Sequence, residues 1–189
     1  MAAIIREALR RVFALALVLI VGYQTGIRIS NIPKNVQKTE PLPYTDGEIN
    51  IFANIVDGEV GGITGVVTIV YANGTVRKAD GYTLRRIHTR VVHNQVRSEL
   101  FPNTVSRCAA LYWSSSYTGT GRRSSERWQS CREYVISALR GFHEVPDNVF
   151  AATGDPYFSS RYPAYRLWAK VKWDTGWVSG TFYYYAYAP

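Results

Sequence analysis

A change of hydrophobic period near residue 60 most strongly limits the folds that this chain can adopt. In residues 49–56 apolar side chains recur at the spacing of an amphipathic helix, and Gly61 and Gly62 then interrupt the pattern. Residues 66–71 are instead β-branched or aromatic, as in a strand, and the pair Asn73-Gly74 that follows favours a tight hairpin turn. A helix that leads directly into a β-hairpin predicts an α+β domain.

The rest of the chain adds helices first and aromatic strands last. Thr45 and Glu48 have the spacing of a capping box, so the folded domain is predicted to open at residue 45. Residues 113–123 are rich in Ser, Thr and Gly and are predicted to form a flexible loop. The other predicted elements are a helix over 84–97, a short helix after the turn at 101–104, a helix from Ser124 or Ser125 to Gly141, and short strands up to residue 187.

The N-terminus has the pattern of an export signal. Three arginines at positions 6, 10 and 11 precede residues 12–22, which carry no charge. The apolar run is short for a transmembrane helix, which needs about 20 residues, and no clear cleavage site follows. We therefore predict a signal-anchor or transmembrane segment over 1–27 with the remaining chain outside the cytoplasm, a linker over 28–44, and one domain over 45–189. A buried core helix is the alternative for the first segment.

The charge of the chain argues against a nucleic-acid-binding protein. The net charge is +8 over 189 residues and divides about equally on either side of Pro43, so it is not gathered in one stripe. A moderately positive surface suits an anionic polymer such as the cell wall or an anionic membrane, and it also suits simple solubility. The three histidines are scattered, and none has an acidic or thiol partner at a spacing typical of a metal site, so no metal and no cofactor are predicted.

Two cysteines, Cys108 and Cys131, lie on the apolar faces of predicted helices. An even number of cysteines in an exported chain favours a disulfide, which we predict here. Two buried free thiols are the alternative.

Glu59 is the candidate for a catalytic acid. It continues the apolar stripe of the first helix and stands in the last turn, just before the two glycines. Partial burial and the negative end of the helix dipole both disfavour a charged carboxylate at this position. A general acid that works near neutral pH needs such an environment. The alternative is an ordinary glutamate that extends into solvent.

Several short strings, in the same order, resemble a cell-wall hydrolase family that includes the spore-cortex-lytic enzymes. That family has a Gly-Glu-Ala-Arg-Gly-like signature at a helix end, then Leu-Asn-Arg-Val-like, Phe-Pro-Asn-Thr and Ala-Leu-x-Gly strings, and it closes with an aromatic strand and a Gly-x-x-Phe-Tyr-like string. The corresponding segments here are 58–62, 93–96, 101–105, 138–141, 150–153 and 180–183. The order of elements likewise looks like the lysozyme-like α+β architecture, with an acid between a helical lobe and a small sheet.

The resemblance implies cleavage of peptidoglycan glycan strands between muramic acid and glucosamine, commonly by a lytic-transglycosylase route. Glu59 matches the catalytic glutamate of the family. The matched strings also imply that Asn94, Phe150, Phe182 and Tyr183 lie in or beside the substrate cleft. The chain departs from the family in three ways. The second acid of the family's signature is absent, since Ile63 occupies its neighbourhood, and Gln95 replaces an arginine. The hairpin over residues 66–82 also looks like an insertion.

The residues themselves leave few partners for Glu59. Hydrolysis of a glycoside generally uses two carboxylates, but Asp57 is expected on a different face of the helix and the next acid is Asp80, beyond the hairpin. Asp80 is the weak second candidate; its alternative role is in the turn that leaves the hairpin. Tyr112 and Trp113 are further candidates for stacking on sugar rings, although structural packing explains such aromatic residues equally well.

We therefore predict a monomeric peptidoglycan lytic enzyme that is anchored to the membrane through residues 1–27 or released, and faces the periplasm or cell wall. The small size and the weak N-terminal span suit a phage endolysin. A bacterial envelope-remodelling enzyme and a virion-borne lysin fit the sequence as well. The alternative function is a non-catalytic module that binds peptidoglycan in the envelope or virion.

Overall fold

The computed structural model describes residues 41–189. The predicted signal-anchor and all but the end of the predicted linker lie outside these residues. Leu42–Pro189 form one compact unit, which begins slightly before the predicted boundary because Leu42 and Tyr44 pack against the core. Within residues 41–189 no helix has the length and apolar character needed to cross a membrane.

The described chain is α+β, as predicted, with helices and strands interleaved along the sequence. The α-helices are α1 (Asp46–Val60), α2 (Tyr82–Arg97), α3 (Val105–Cys108), α4 (Glu126–Gly141) and α5 (Phe158–Arg161), and the strands are β1 (Val66–Tyr71), β2 (Val76–Asp80), β3 (Val149–Thr153), β4 (Tyr165–Asp174) and β5 (Ser179–Tyr187). A π-helical turn, Ala109–Trp113, and a 3₁₀ turn, Ser115–Tyr117, follow α3.

The five strands form one antiparallel sheet in the order β2-β1-β4-β5-β3. The predicted hairpin joins β1 to β2, and Gly74 in its turn has φ = +85°, a conformation that favours glycine. Alternate residues point to opposite faces of a strand. One face carries Ile69, Val171 and Tyr184, which are buried in the core shared with the helices; we call the opposite side the outer face.

The first helix starts where its capping box predicts. The Thr45 hydroxyl accepts a hydrogen bond from the Glu48 backbone N–H at 3.3 Å, and the Glu48 carboxylate accepts one from the Thr45 N–H at 2.8 Å. Helices α1, α2 and α4 pack against each other, and their apolar faces form one core with the sheet, in which Phe52, Val91 and Val135 are fully enclosed. This core fixes the C-terminal end of α1, where Glu59 lies.

The predicted disulfide between Cys108 and Cys131 is wrong, because both residues are buried free thiols. Cys108 donates a hydrogen bond from Sγ to the Pro102 carbonyl oxygen at 3.0 Å. The Sγ of Cys131 instead lies 4.0 Å from Oδ1 of Asp57. Each thiol thus contacts a different polar group. Burial raises the pKa of both thiols to about 11, so both stay protonated at neutral pH.

Candidate active site

Glu59 lies half-buried in the last turn of α1, immediately before the connection into the sheet. The hydroxyl of Tyr117 donates a hydrogen bond to its Oε1 at 3.1 Å. The pKa of Tyr117 is raised, first by burial and then by the charge of Glu59, so the phenol remains a hydrogen-bond donor at neutral pH. One carboxylate oxygen is therefore held by a neutral donor.

The close approach of Tyr117 to α1 depends on Gly58. A Cβ atom at position 58 would come within 2.6 Å of Cε1 and Cζ of the Tyr117 ring. Real side chains do not tolerate such a distance, so any residue larger than glycine would displace the ring. Gly58 thus does more than flank the candidate acid in sequence, because it makes room for the group that orients it.

The segment that carries Tyr117 is held on α1 by two asparagines. Asn54 donates from Nδ2 to the carbonyl oxygens of Tyr117 and Gly119 at 3.1 and 2.7 Å. Asn50 donates to the Thr120 carbonyl at 2.7 Å. Asn50, Asn54 and Gly58 follow one another at intervals of four residues, so they lie along one face of the helix. The predicted flexible loop is therefore anchored along this face.

The same two asparagines also bind α4. Oδ1 of Asn54 accepts a hydrogen bond from the indole N–H of Trp128 at 2.8 Å, and Oδ1 of Asn50 accepts one from Nε of Arg132 at 2.9 Å. Both amides are buried and use both their oxygen and their nitrogen. The two asparagines are the only polar residues of the run 49–56, and their spacing of four was the sequence signal for this role. It belongs to none of the motifs described above.

The acid closest in sequence to Glu59 has a different role. Asp57 is buried and forms a two-pronged ion pair with Arg127 of α4, with Nε–Oδ1 and Nη2–Oδ2 distances of 2.6 and 3.2 Å. This hydrogen bond and the Asp57 charge raise the pKa of Arg127. Both Asp57 oxygens are therefore occupied between α1 and α4.

Asp80 caps a helix. Its Oδ1 accepts hydrogen bonds from the backbone N–H and the hydroxyl of Thr83, at 2.9 and 3.1 Å, at the start of α2. The side chain is exposed at the end of the hairpin. This geometry matches the turn role that was the alternative for Asp80 in the sequence.

Two of the predicted substrate-binding aromatics meet around His88. The ring centroids of Trp113 and Phe182 lie 5.7 and 5.1 Å from that of the buried His88. Trp173 continues the row by stacking on Phe182 at 6.4 Å. The row leads from the segment just before Tyr117 to the helix-facing side of the sheet. Burial lowers the pKa of His88 to about 4, so its imidazole is uncharged at neutral pH and cannot act as a general acid.

Three other predicted binding residues lie apart from that row. Tyr112 and Phe150 both contact Phe101, with centroid distances of 5.0 and 5.2 Å. Asn94 is buried and donates from Nδ2 to the carbonyl oxygens of Pro146 and Val149 at 2.8 and 3.1 Å. Its amide nitrogen thus supports the chain that leads into β3.

Gln95, which stands where the resembling family has arginine, links the two aromatic groups. It donates from Nε2 to the Phe150 carbonyl oxygen at 2.7 Å and accepts a hydrogen bond from the Trp113 indole at 2.9 Å. The remaining predicted residue, Tyr183, follows Phe182 in β5 and pairs with Lys170 and Thr153. It therefore points to the outer face, away from Phe182.

Within residues 41–189 no group of three or more His, Cys, Asp or Glu side chains is arranged to hold a metal ion. Comparison with protein-family models, with curated proteins and with solved structures found no significant match for this chain.

Proposed function

We propose that this chain cleaves the glycan strands of peptidoglycan as a lytic transglycosylase, with Glu59 as the acid and base. The observation that carries the proposal is the half-buried Glu59 carboxylate, which one hydrogen bond from Tyr117 orients while its other oxygen takes part in no hydrogen bond within residues 41–189. The position of this carboxylate, at a helix end that leads into an antiparallel sheet, supports a lysozyme-like arrangement.

In the proposed reaction, protonated Glu59 donates its proton to the glycosidic oxygen while the bond from that oxygen to C1 of the muramic-acid sugar breaks. The resulting carboxylate then takes the proton of the 6-hydroxyl of the same sugar as that oxygen bonds to C1. The products are a new 4-hydroxyl end and a 1,6-anhydro ring, and Glu59 returns to its protonated form. Tyr117 orients the carboxylate during both proton transfers.

The engagement of the neighbouring acids supports this single-acid route. Asp57 pairs with Arg127 through both oxygens, and Asp80 caps α2. Hydrolysis of a glycoside generally requires a second carboxylate near the first. Cleavage by the substrate's own hydroxyl requires no second carboxylate. It therefore fits better with the engagement of Asp57 and Asp80 in other contacts.

The aromatic row of Trp113, Phe182 and Trp173 supports the choice of a sugar substrate, because flat aromatic faces pack on the apolar faces of pyranose rings. The proposal includes export or membrane anchoring through residues 1–27, which is a prediction from the sequence. Neither a cofactor nor nucleic acid takes part.

Clearance of a suspension of purified peptidoglycan by the full-length chain and by its Glu59→Gln variant tests the proposal. The amide keeps the size of the side chain but cannot donate a proton as a carboxylic acid does, so the variant should lose lysis by at least 100-fold. Glu133→Gln, an exposed acid of α4, is the matched control and should keep full activity. Binding without lysis by the wild-type chain would support the non-catalytic envelope module instead.

A further inference from the structure

The outer face of the sheet carries every lysine of residues 41–189. These lysines are Lys78, Lys170 and Lys172. The remaining positively charged side chains of residues 41–189, apart from histidine, are arginines. In β1–β2 and β1–β4 pairing, Thr68 lies between Lys78 and Lys172. We call the surface formed by the three lysines, Thr68 and Tyr183 the lysine face.

The strand register fixes the spacing of the three lysines along the backbone. Lys170 and Lys172 are two residues apart in β4, so they share one face and their Cα atoms are about 7 Å apart. Lys78 and Lys172 lie on strands that flank β1, which separates them by about 10 Å. Tyr183 pairs with Lys170 in β5 and adds an aromatic ring beside the charges. The result is a triangle of lysines on one side of the sheet, with Thr68 between two of them.

The charges of the lysine face are not neutralised by neighbouring acids. Within residues 41–189 none of the three lysines forms an ion pair. The acids on the same side of these strands are Asp80 and Asp174, at one end, and both accept backbone hydrogen bonds, from Thr83 and Gly176. At its other end the same face is bounded by α5, whose Phe158 packs on Tyr185 with the ring centroids 5.0 Å apart.

We propose that the lysine face binds an anionic polymer of the cell envelope, one with phosphodiester groups repeated along its chain. Ammonium groups on one side of a sheet attract such a chain by point-charge contacts and the release of its counterions, without a shaped pocket. The choice of an envelope polymer rests on the proposed function. The face is separate from Glu59, because it lies on the side of the sheet opposite the core that the sheet shares with α1, α2 and α4.

Binding of poly(glycerol phosphate) to the full-length chain at several salt concentrations tests the proposal. All proteins carry Glu59→Gln, so no reaction contributes and the result does not depend on whether Glu59 is catalytic. The test variant adds Lys78→Gln, Lys170→Gln and Lys172→Gln. The control adds Arg97→Gln, Arg107→Gln and Arg140→Gln, which remove the same charge from exposed positions on the helices.

We expect the lysine variant to bind the polymer at least tenfold more weakly at low salt, and its slope of log affinity against log salt to fall by about 2. The arginine control should change affinity by less than threefold. Equal losses in the two variants would attribute binding to net charge and overturn the proposal, as would unchanged binding by the lysine variant. A larger loss on single-stranded DNA, or on phosphatidylglycerol vesicles, than on the polymer would also overturn it.

Discussion

At the scale of single residues, the candidate site consists of a carboxylate, a phenol and a missing side chain. Tyr117 reaches Glu59 at 3.1 Å only because Gly58 has no Cβ to oppose its ring. The hydrogen bond limits the rotamers of Glu59 and leaves one oxygen directed elsewhere. An acid that must donate and then recover a proton at one position benefits from such restraint.

Removal of the Tyr117 hydroxyl should slow the reaction with little effect on the fold. Tyr117→Phe keeps the ring against Gly58 but deletes the hydrogen bond to Glu59, which is worth about 1.5–3 kcal/mol once proton transfer leaves that carboxylate charged. We therefore expect kcat to fall roughly tenfold or more with KM nearly unchanged, measured on soluble glycan fragments. A rise in KM with unchanged kcat would mean that Tyr117 binds substrate and does not position Glu59.

A methyl group at position 58 should act through Tyr117. Gly58→Ala adds a Cβ that overlaps the ring, so lysis should fall at least as far as in Tyr117→Phe. In a Tyr117→Ala background the same substitution should cost no further activity, because the obstacle is already gone. Gly62→Ala is the control, since a Cβ there meets no atom within 4 Å. Additive losses in the double variant would contradict this account.

At the scale of elements, the best-predicted parts are those whose signals are local. The capping box of α1, the Asn-Gly hairpin and the Ser125 cap of α4 each act within a few residues. Residues 113–123 were predicted to be flexible because their composition carries no period. Their order comes from Asn50 and Asn54, more than 60 residues away in sequence, and no local pattern encodes that contact.

Loss of the Asn54 amide should weaken both of its attachments. Asn54→Ala leaves the Trp128 indole and the carbonyls of Tyr117 and Gly119 without their partner, so we expect unfolding to become easier by about 1–3 kcal/mol in urea titrations. Amide hydrogen exchange should also accelerate in the Tyr117 segment. Asn103→Ala, at an exposed turn position, should change neither quantity. Unchanged exchange in the segment would show that other contacts order it.

At the scale of the whole molecule, the sequence predicted an α+β domain but not the placement of its aromatic residues. Phe182 and Tyr183 were grouped together, yet consecutive strand residues face opposite sides, and only Phe182 joins Trp113 near His88. The disulfide prediction failed because it depended on compartment and cysteine count. Neither the compartment nor the number of cysteines determines whether α3, with Cys108, and α4, with Cys131, bring the two thiols together.

The buried histidines should make the folded domain sensitive to mild acid. Burial lowers the pKa of both His88 and His93 from 6.5 to about 4. Between these values the unfolded chain binds protons that the folded chain does not, so stability is complete above about pH 6.5 and falls as the pH drops toward 4. The urea midpoint should therefore decrease from pH 7.5 to pH 5.5, and a midpoint that stays constant or rises would contradict this prediction.

The most direct test of the central claim is mass analysis of the fragments released from purified peptidoglycan by the full-length chain. A single-acid reaction at Glu59 predicts muramic-acid ends in the 1,6-anhydro form, lighter than hydrolysed ends by one water, and no fragments from the Glu59→Gln variant. Predominantly reducing ends would contradict the single-acid mechanism. Equal release by the Glu59→Gln variant would contradict the assignment of Glu59 itself.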